Sequence, residues 1–174
     1  MNDTVITIVA IFLGTILLFI FPLMSVSERS DDISQLTVQT ATSEFCNSVT
    51  TTGRISLTEY QKLVSTLSAT GNSYDVEMEV KILDENIGKK SAWTSGTVIG
   101  ENSSYSVGTS QIVEEIEQKG SYSLKEGDVF VVRVKNTNKT LAQTIRGAVY
   151  SAKGDDNYAI AGHDSGVVQT NGSN

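Results

Sequence analysis

Residues 4–27 carry no charged side chain, and within them Val5-Ile-Thr-Ile-Val-Ala-Ile-Phe-Leu-Gly-Thr-Ile-Leu-Leu-Phe-Ile-Phe-Pro-Leu-Met24 is apolar on every face. A helix packed on a soluble core keeps a polar stripe for water. This run offers only the hydroxyls of Thr7 and Thr15, which can bond back to their own helix carbonyls. As a helix the charge-free stretch spans roughly 35 Å, enough for a bilayer core of about 30 Å. A cleaved secretory signal would have a basic start, a shorter apolar stretch and a small-residue cleavage site. Met1-Asn2-Asp3 contains no Lys or Arg and the run is too long, so a retained anchor is expected. Val5, Ile8, Phe12, Ile16, Phe19 and Pro22 mark its length.

The rest of the chain can build a core of its own. It holds almost all of the 13 basic and 20 acidic residues, and the formal net charge of -7 argues against nucleic acid as a partner. One Cys forbids an intramolecular disulfide, and one His rules out a multi-histidine metal site. The positive-inside rule has little to count: Asp3 lies on one side of the apolar run, and Glu28, Arg29, Asp31 and Asp32 lie on the other. The acidic, Ser- and Thr-rich remainder is placed outside the cell membrane.

Beyond the membrane, Ile33, Leu36, Ala41, Phe45 and Val49 recur at roughly helical spacing. One long helix is therefore expected to about Thr50, bent near Pro22, where a carbonyl loses its partner. The β-branched run Thr50-Thr51-Thr52 and then Gly53 end it. Ser56 with Glu59 three residues later forms a capping box, flanked by Ile55 and Tyr60 as a hydrophobic staple. Tyr60, Leu63, Val64 and Leu67 share the apolar face of the helix that follows, which Gly71 stops.

Residues 74–82 alternate without a slip: Tyr74, Val76, Met78, Val80 and Ile82 inward, Asp75, Glu77, Glu79 and Lys81 outward. A half-buried antiparallel strand follows from that pattern. Residues 84–107 read as a loop-rich excursion. A short helix over 111–119 is capped by Thr109 or Ser110 and stopped by Gly120. A strand covers 128–135, with Phe130, Val132 and Val134 on one face. A further helix is capped by Asn138, with Leu141, Ile145 and Val149 on one face, and residues 158–170 give a last strand or hairpin. The expected division is a membrane helix (1–27), a stalk helix continuing from it (28–52) and a head (53–174). The fold class is α+β: a long amino-terminal helix followed by a head of about three mostly antiparallel strands and three short helices.

Chemistry is sparse. His163-Asp164-Ser165 has the residue types of a triad, but strand neighbours point to opposite faces, and no Gly-x-Ser-x-Gly elbow is present. Cys46 can pair with His163 only if the head folds back on the stalk. Packing is the simpler role for it, and contact between neighbouring stalks is the second. The acidic pairs Asp31-Asp32, Asp84-Glu85, Glu114-Glu115 and Asp155-Asp156 lack the alternating spacing of a calcium loop. No glycine run ends in Gly-Lys-Ser/Thr, so no phosphate loop is expected. The reading is of a protein that is not an enzyme and carries no metal or cofactor.

Asp32-Ile-Ser-Gln-Leu-Thr-Val-Gln-Thr-Ala41, Phe45, Thr52-Gly53, Tyr60 and Ala69-Thr-Gly-Asn-Ser-Tyr-Asp-Val76 together carry a resemblance. So do Lys125-Glu-Gly-Asp-Val129, Val132-Arg-Val-Lys-Asn-Thr-Asn138 and His163-Asp-Ser-Gly-Val167. In order and spacing the chain resembles TadE-like pseudopilins, small membrane-anchored proteins of Gram-positive bacteria associated with tight-adherence (Tad or Flp-type) pili. The apolar helix carries no early Glu, where pilins place one. The resemblance implies a type IV pilin-like architecture: a single-pass anchor with an extracytoplasmic head, working as a structural part of a pilus or secretion apparatus. The implied partners are the lipid bilayer, other assembly subunits and copies of itself, with Ile33, Leu36, Phe45 and Val49 packing along the stalk. A second reading is an anchored adhesin or ligand-binding module using the excursion at 84–107, where Trp93 and Tyr105 supply aromatic anchors.

Overall fold

The computed structural model describes residues 2–83, 104–150 and 160–172. Helix α1 (Asn2–Thr52) runs unbroken through Pro22. It ends where expected: Gly53 takes φ +67, and its N–H donates to the Val49 carbonyl at 2.9 Å. Strand β1 (Arg54–Ser56) leads into α2 (Leu57–Ser68), whose N-cap is Ser56. The Ser56 Oγ accepts from the Glu59 N–H at 3.2 Å. The other half of the box is rearranged. The Glu59 carboxylate accepts from the Ser56 hydroxyl at 3.0 Å and from the Ser48 hydroxyl, which ties the start of α2 to the end of α1.

Strand β2 (Tyr74–Leu83) keeps the alternation of the sequence, with Met78 and Val80 buried and Asp75, Glu77 and Lys81 exposed. Strand β3 (Ser104–Gly108) then lies within the stretch expected to be loop. Helix α3 (Thr109–Lys119) starts earlier than expected, and Gly108 is its N-cap with no side-chain bond. The Thr109 hydroxyl is engaged elsewhere: it donates to the Met78 carbonyl at 3.1 Å and accepts from the Met78 N–H at 2.7 Å, occupying a backbone position on the edge of β2. Gly120 closes α3 at φ +82. Next come β4 (Ser121–Ser123), β5 (Val129–Asn136), α4 (Leu141–Tyr150) and β6 (Ala161–Val167).

The head is therefore richer in strands than the expected three. Strands β1 and β4 pair as a small ribbon, and β3-β2-β5-β6 form a fully antiparallel four-stranded sheet. Register puts Val76, Met78 and Val80 beside Val134, Val132 and Phe130 on one face. That face meets helices: Val38, Phe45, Cys46 and Val49 of α1, Leu63 and Leu67 of α2, and Ile112 and Ile116 of α3 join it in one core. The rings of Phe45 and Phe130 meet edge to face at 5.9 Å. The other face is wet, with Glu79 accepting from the Ser106 hydroxyl at 2.8 Å and facing Arg133 at 3.7 Å. A sheet covered on one side only is the arrangement that strict alternation in β2 requires.

Candidate membrane anchor and head-to-stalk seam

The two halves of α1 have opposite surroundings. Along residues 5–24 the large apolar side chains are exposed, with Ile16, Ile20 and Met24 partly covered. The helix is long and apolar enough to cross a membrane. The hydroxyls of Thr7 and Thr15 donate to the carbonyls of Asp3 and Ile11, each at 2.8 Å, so neither needs water. Gly14 has open space beside it. Of the residues marking the anchor, Val5, Ile8, Phe12 and Phe19 are exposed to between 58% and 69%. Such a surface is costly in water and neutral in lipid.

The second half seals the head. Its buried stripe is Ser34, Val38, Thr42, Phe45, Cys46, Val49 and Thr50, with Ser27 two turns lower. The four residues expected to share one stalk face divide between two. Phe45 and Val49 lie in the head's core, whereas Ile33 and Leu36 are 60% and 67% exposed. The stripe is small and partly hydroxylic because the sheet comes very close. On β6, Gly162 and Gly166 both face α1: a Cβ at Gly162 would overlap the Thr42 hydroxyl, and one at Gly166 would press on the Thr50 methyl at 3.0 Å. Thr42 and Thr50 satisfy themselves by donating to Val38 O at 2.7 Å and Cys46 O at 2.9 Å. A strand glycine pair of this kind marks a close backbone approach, and two glycines four apart on one strand are its signal in the sequence.

Polar contacts fix the register of the seam. The Gln35 amide accepts from the Ala161 N–H at 2.9 Å and donates to the Ala161 carbonyl at 2.7 Å, standing in for a strand neighbour at the start of β6. The N-cap of α4 is Thr140, where Asn138 was expected. Thr140 Oγ1 accepts from the Gln143 N–H at 3.2 Å while Gln143 Oε1 accepts from the Thr140 N–H at 3.0 Å, a capping box. The same hydroxyl donates to Asp31 at 2.6 Å. Asn138 instead accepts from the Ser73 N–H at 2.8 Å and donates to Asn72 at 3.0 Å, joining the start of β2 to the end of β5. Arg146 reaches Glu28 at 2.6 Å. Glu28, Asp31, Asp32 and Gln35 of α1 thus line a cleft of about 450 Å³ opposite Ala142, Gln143 and Arg146.

The thiol and the imidazole are separated. Gly162, Asp164 and Gly166 face α1, so His163 and Ser165 face the wet side. His163 is therefore on the far side of β6 from Cys46. Cys46 is 2% exposed, and its thiol is pushed up to about 11 by burial first and by Asp164 second. A thiol held protonated is a poor nucleophile. Among the described residues, no three His, Cys, Asp or Glu side chains gather as a metal-binding group. Trp93 and the Asp155-Asp156 pair lie outside the described residues. No protein-family model, no curated protein and no solved structure matches this chain.

Proposed function

We propose that this protein is a non-enzymatic, membrane-anchored structural component of a Tad or type IV-type pilus or secretion apparatus, pseudopilin-like or minor pilin-like, with its head outside the cell. The observation that carries the reading is the division of labour within α1. One half presents an unbroken apolar surface, and the other is built into the core of an antiparallel head. A helix needed only as a tether would not have to share its buried face with the sheet. One that does share it transmits the position of its membrane half rigidly to the head.

Lateral packing in lipid would rely on close approach near Gly14 and Thr15. Above the membrane it would use Val26, Ile33 and Leu36, which stay exposed on a helix whose other side is already occupied. Replacing residues 5–24 by an unrelated membrane helix should abolish co-purification with other pilus-assembly subunits while leaving the protein in the membrane. Association retained after that exchange would move the binding element to the head. The adhesin reading keeps one supporting observation, the exposure of Tyr105 on β3, where the sheet ends. Tyr105→Ser should leave pilus-subunit association intact under the first reading and reduce surface adhesion under the second.

A further inference from the structure

Helix α4 has a direction that matters for the membrane. Thr140, just before its first residue, is bonded to Asp31, and Arg146 near its end is bonded to Glu28. The helix therefore descends along α1 toward the apolar segment. Past Arg146 it still has the turn at residues 147–150, which advances by about 6 Å. Glu28 itself lies only ~6 Å along the α1 axis above Met24, where the apolar run stops. The last turn of α4 is thus placed level with the end of the charge-free helix.

Composition agrees with that position. In a chain of net charge -7, residues 140–150 contain one charged side chain, Arg146, and no acidic one. Gly147 and Ala148 are exposed. The turn is completed by residues 149 and 150 of the helix. Arg146 neutralises Glu28, the first acidic group beyond the apolar run, and a long basic side chain at this height suits the phosphate layer.

We propose that the carboxy-terminal turn of α4, residues 147–150, lies in the headgroup layer of the bilayer that α1 crosses, seating the head on the lipid surface at a second point. This rests on the anchoring role given to residues 5–24. The seat would restrict the head from tilting about a single helix, so that its sheet keeps a fixed angle to the membrane.

The test uses the full chain in phosphatidylcholine vesicles, with an environment-sensitive fluorophore on single introduced cysteines. The buried Cys46 stays in place as an unreactive background. Ile16→Cys reports the anchor, Ala148→Cys and Gly147→Cys report the turn independently, and Glu126→Cys reports the end of the head near Gly53. Lipids carrying a nitroxide on the headgroup or deep in the acyl chain serve as quenchers. Probes at 147 and 148 should be quenched several-fold more than the probe at 126 by the headgroup nitroxide, and the probe at 16 most by the deep one. Probes at 147 and 148 that both match 126 while 16 is quenched deeply would overturn the seat and leave the anchor standing. A probe at 16 that escapes the deep quencher would overturn the anchor, and the seat with it.

Discussion

At the scale of single residues, the closeness of β6 to α1 rests on a glycine set against a threonine. Gly162 has no room for a methyl group, since one would meet the Thr42 hydroxyl and, at 3.1 Å, the Val38 carbonyl of α1. Gly162→Ala should therefore destabilise the fold by about 1–3 kcal/mol, the usual range for an overpacked core. Adding Thr42→Ala should recover part of that loss and not all of it, because the Val38 carbonyl belongs to the backbone. Full recovery in chemical denaturation would show that the side chain alone sets the spacing. Cys46 gives a second residue-scale expectation. Its folded thiol stands near 11 against an ordinary 9.0. Between those values the unfolded chain releases a proton that the native state keeps, so stability is complete below about pH 9 and falls as pH rises through 11. At ~1.4 kcal/mol per unit the loss approaches 2–3 kcal/mol. Burial raises Tyr60 and Tyr122 as well, and they act in the same direction. The readout is therefore a difference: Cys46→Ala should lower the urea midpoint at pH 8 and show a shallower decline from pH 9 to 11. Parallel declines for the two proteins would remove the thiol from the account.

At the scale of elements, legibility followed the strength of local signals. The strict alternation in β2 and the Ser56 cap of α2 are local devices, and the structure keeps both. Strands β1 and β4 have three residues each, too short for any alternation to register. Strand β3 is Ser-Tyr-Ser-Val-Gly, paired through its backbone with few apolar side chains to announce it. The stalk misleads for another reason. Its buried face includes Ser34, Thr42 and Thr50, and the hydroxyls of Thr42 and Thr50, which bond to carbonyls four residues back, are buried without a visible penalty. Apolar spacing therefore gathers Ile33 and Leu36 with Phe45 and Val49, although only the second pair faces the sheet. The cap of α4 lies two residues beyond Asn138 because Asn138 and Thr140 are both good caps, and a long-range contact with Ser73 decides between them. That cap supports a prediction at this scale. Thr140→Ala removes one side of the box and the bond to Asp31, and should loosen α4 by about 1–2 kcal/mol. Amide exchange should rise through α4 while β2 and β5 stay protected. Protection lost equally across the sheet would mean that α4 and the sheet open as one unit.

At the scale of the whole molecule, the boundary that matters lies inside α1 and not at its end. Among the described residues, the large apolar side chains of 5–24 are mostly exposed, whereas Val38, Phe45, Cys46 and Val49 are part of the head's core. Burial of large apolar side chains contributes about 1.5–3 kcal/mol each, and a domain's net stability is only ~5–15 kcal/mol. A chain of residues 25–174 should therefore remain folded without lipid and unfold cooperatively. A chain of residues 53–174, stripped of the same helix at its visible end, should lose the cooperative transition and aggregate through the exposed face of β2 and β5. Cooperative unfolding by the shorter chain would show the stalk to be a mere connector, and the rigid coupling proposed between the apolar half of α1 and the head would fail with it. The longer chain also isolates the question of lateral contact, since it keeps Val26, Ile33 and Leu36, which the described part of the head leaves exposed. Self-association of residues 25–174 that disappears with Ile33→Ser and Leu36→Ser would assign that stripe to contact between subunits. If the fragment is monomeric at every concentration, any lateral packing must be supplied by the apolar half of α1, where Gly14 leaves open space for a neighbour.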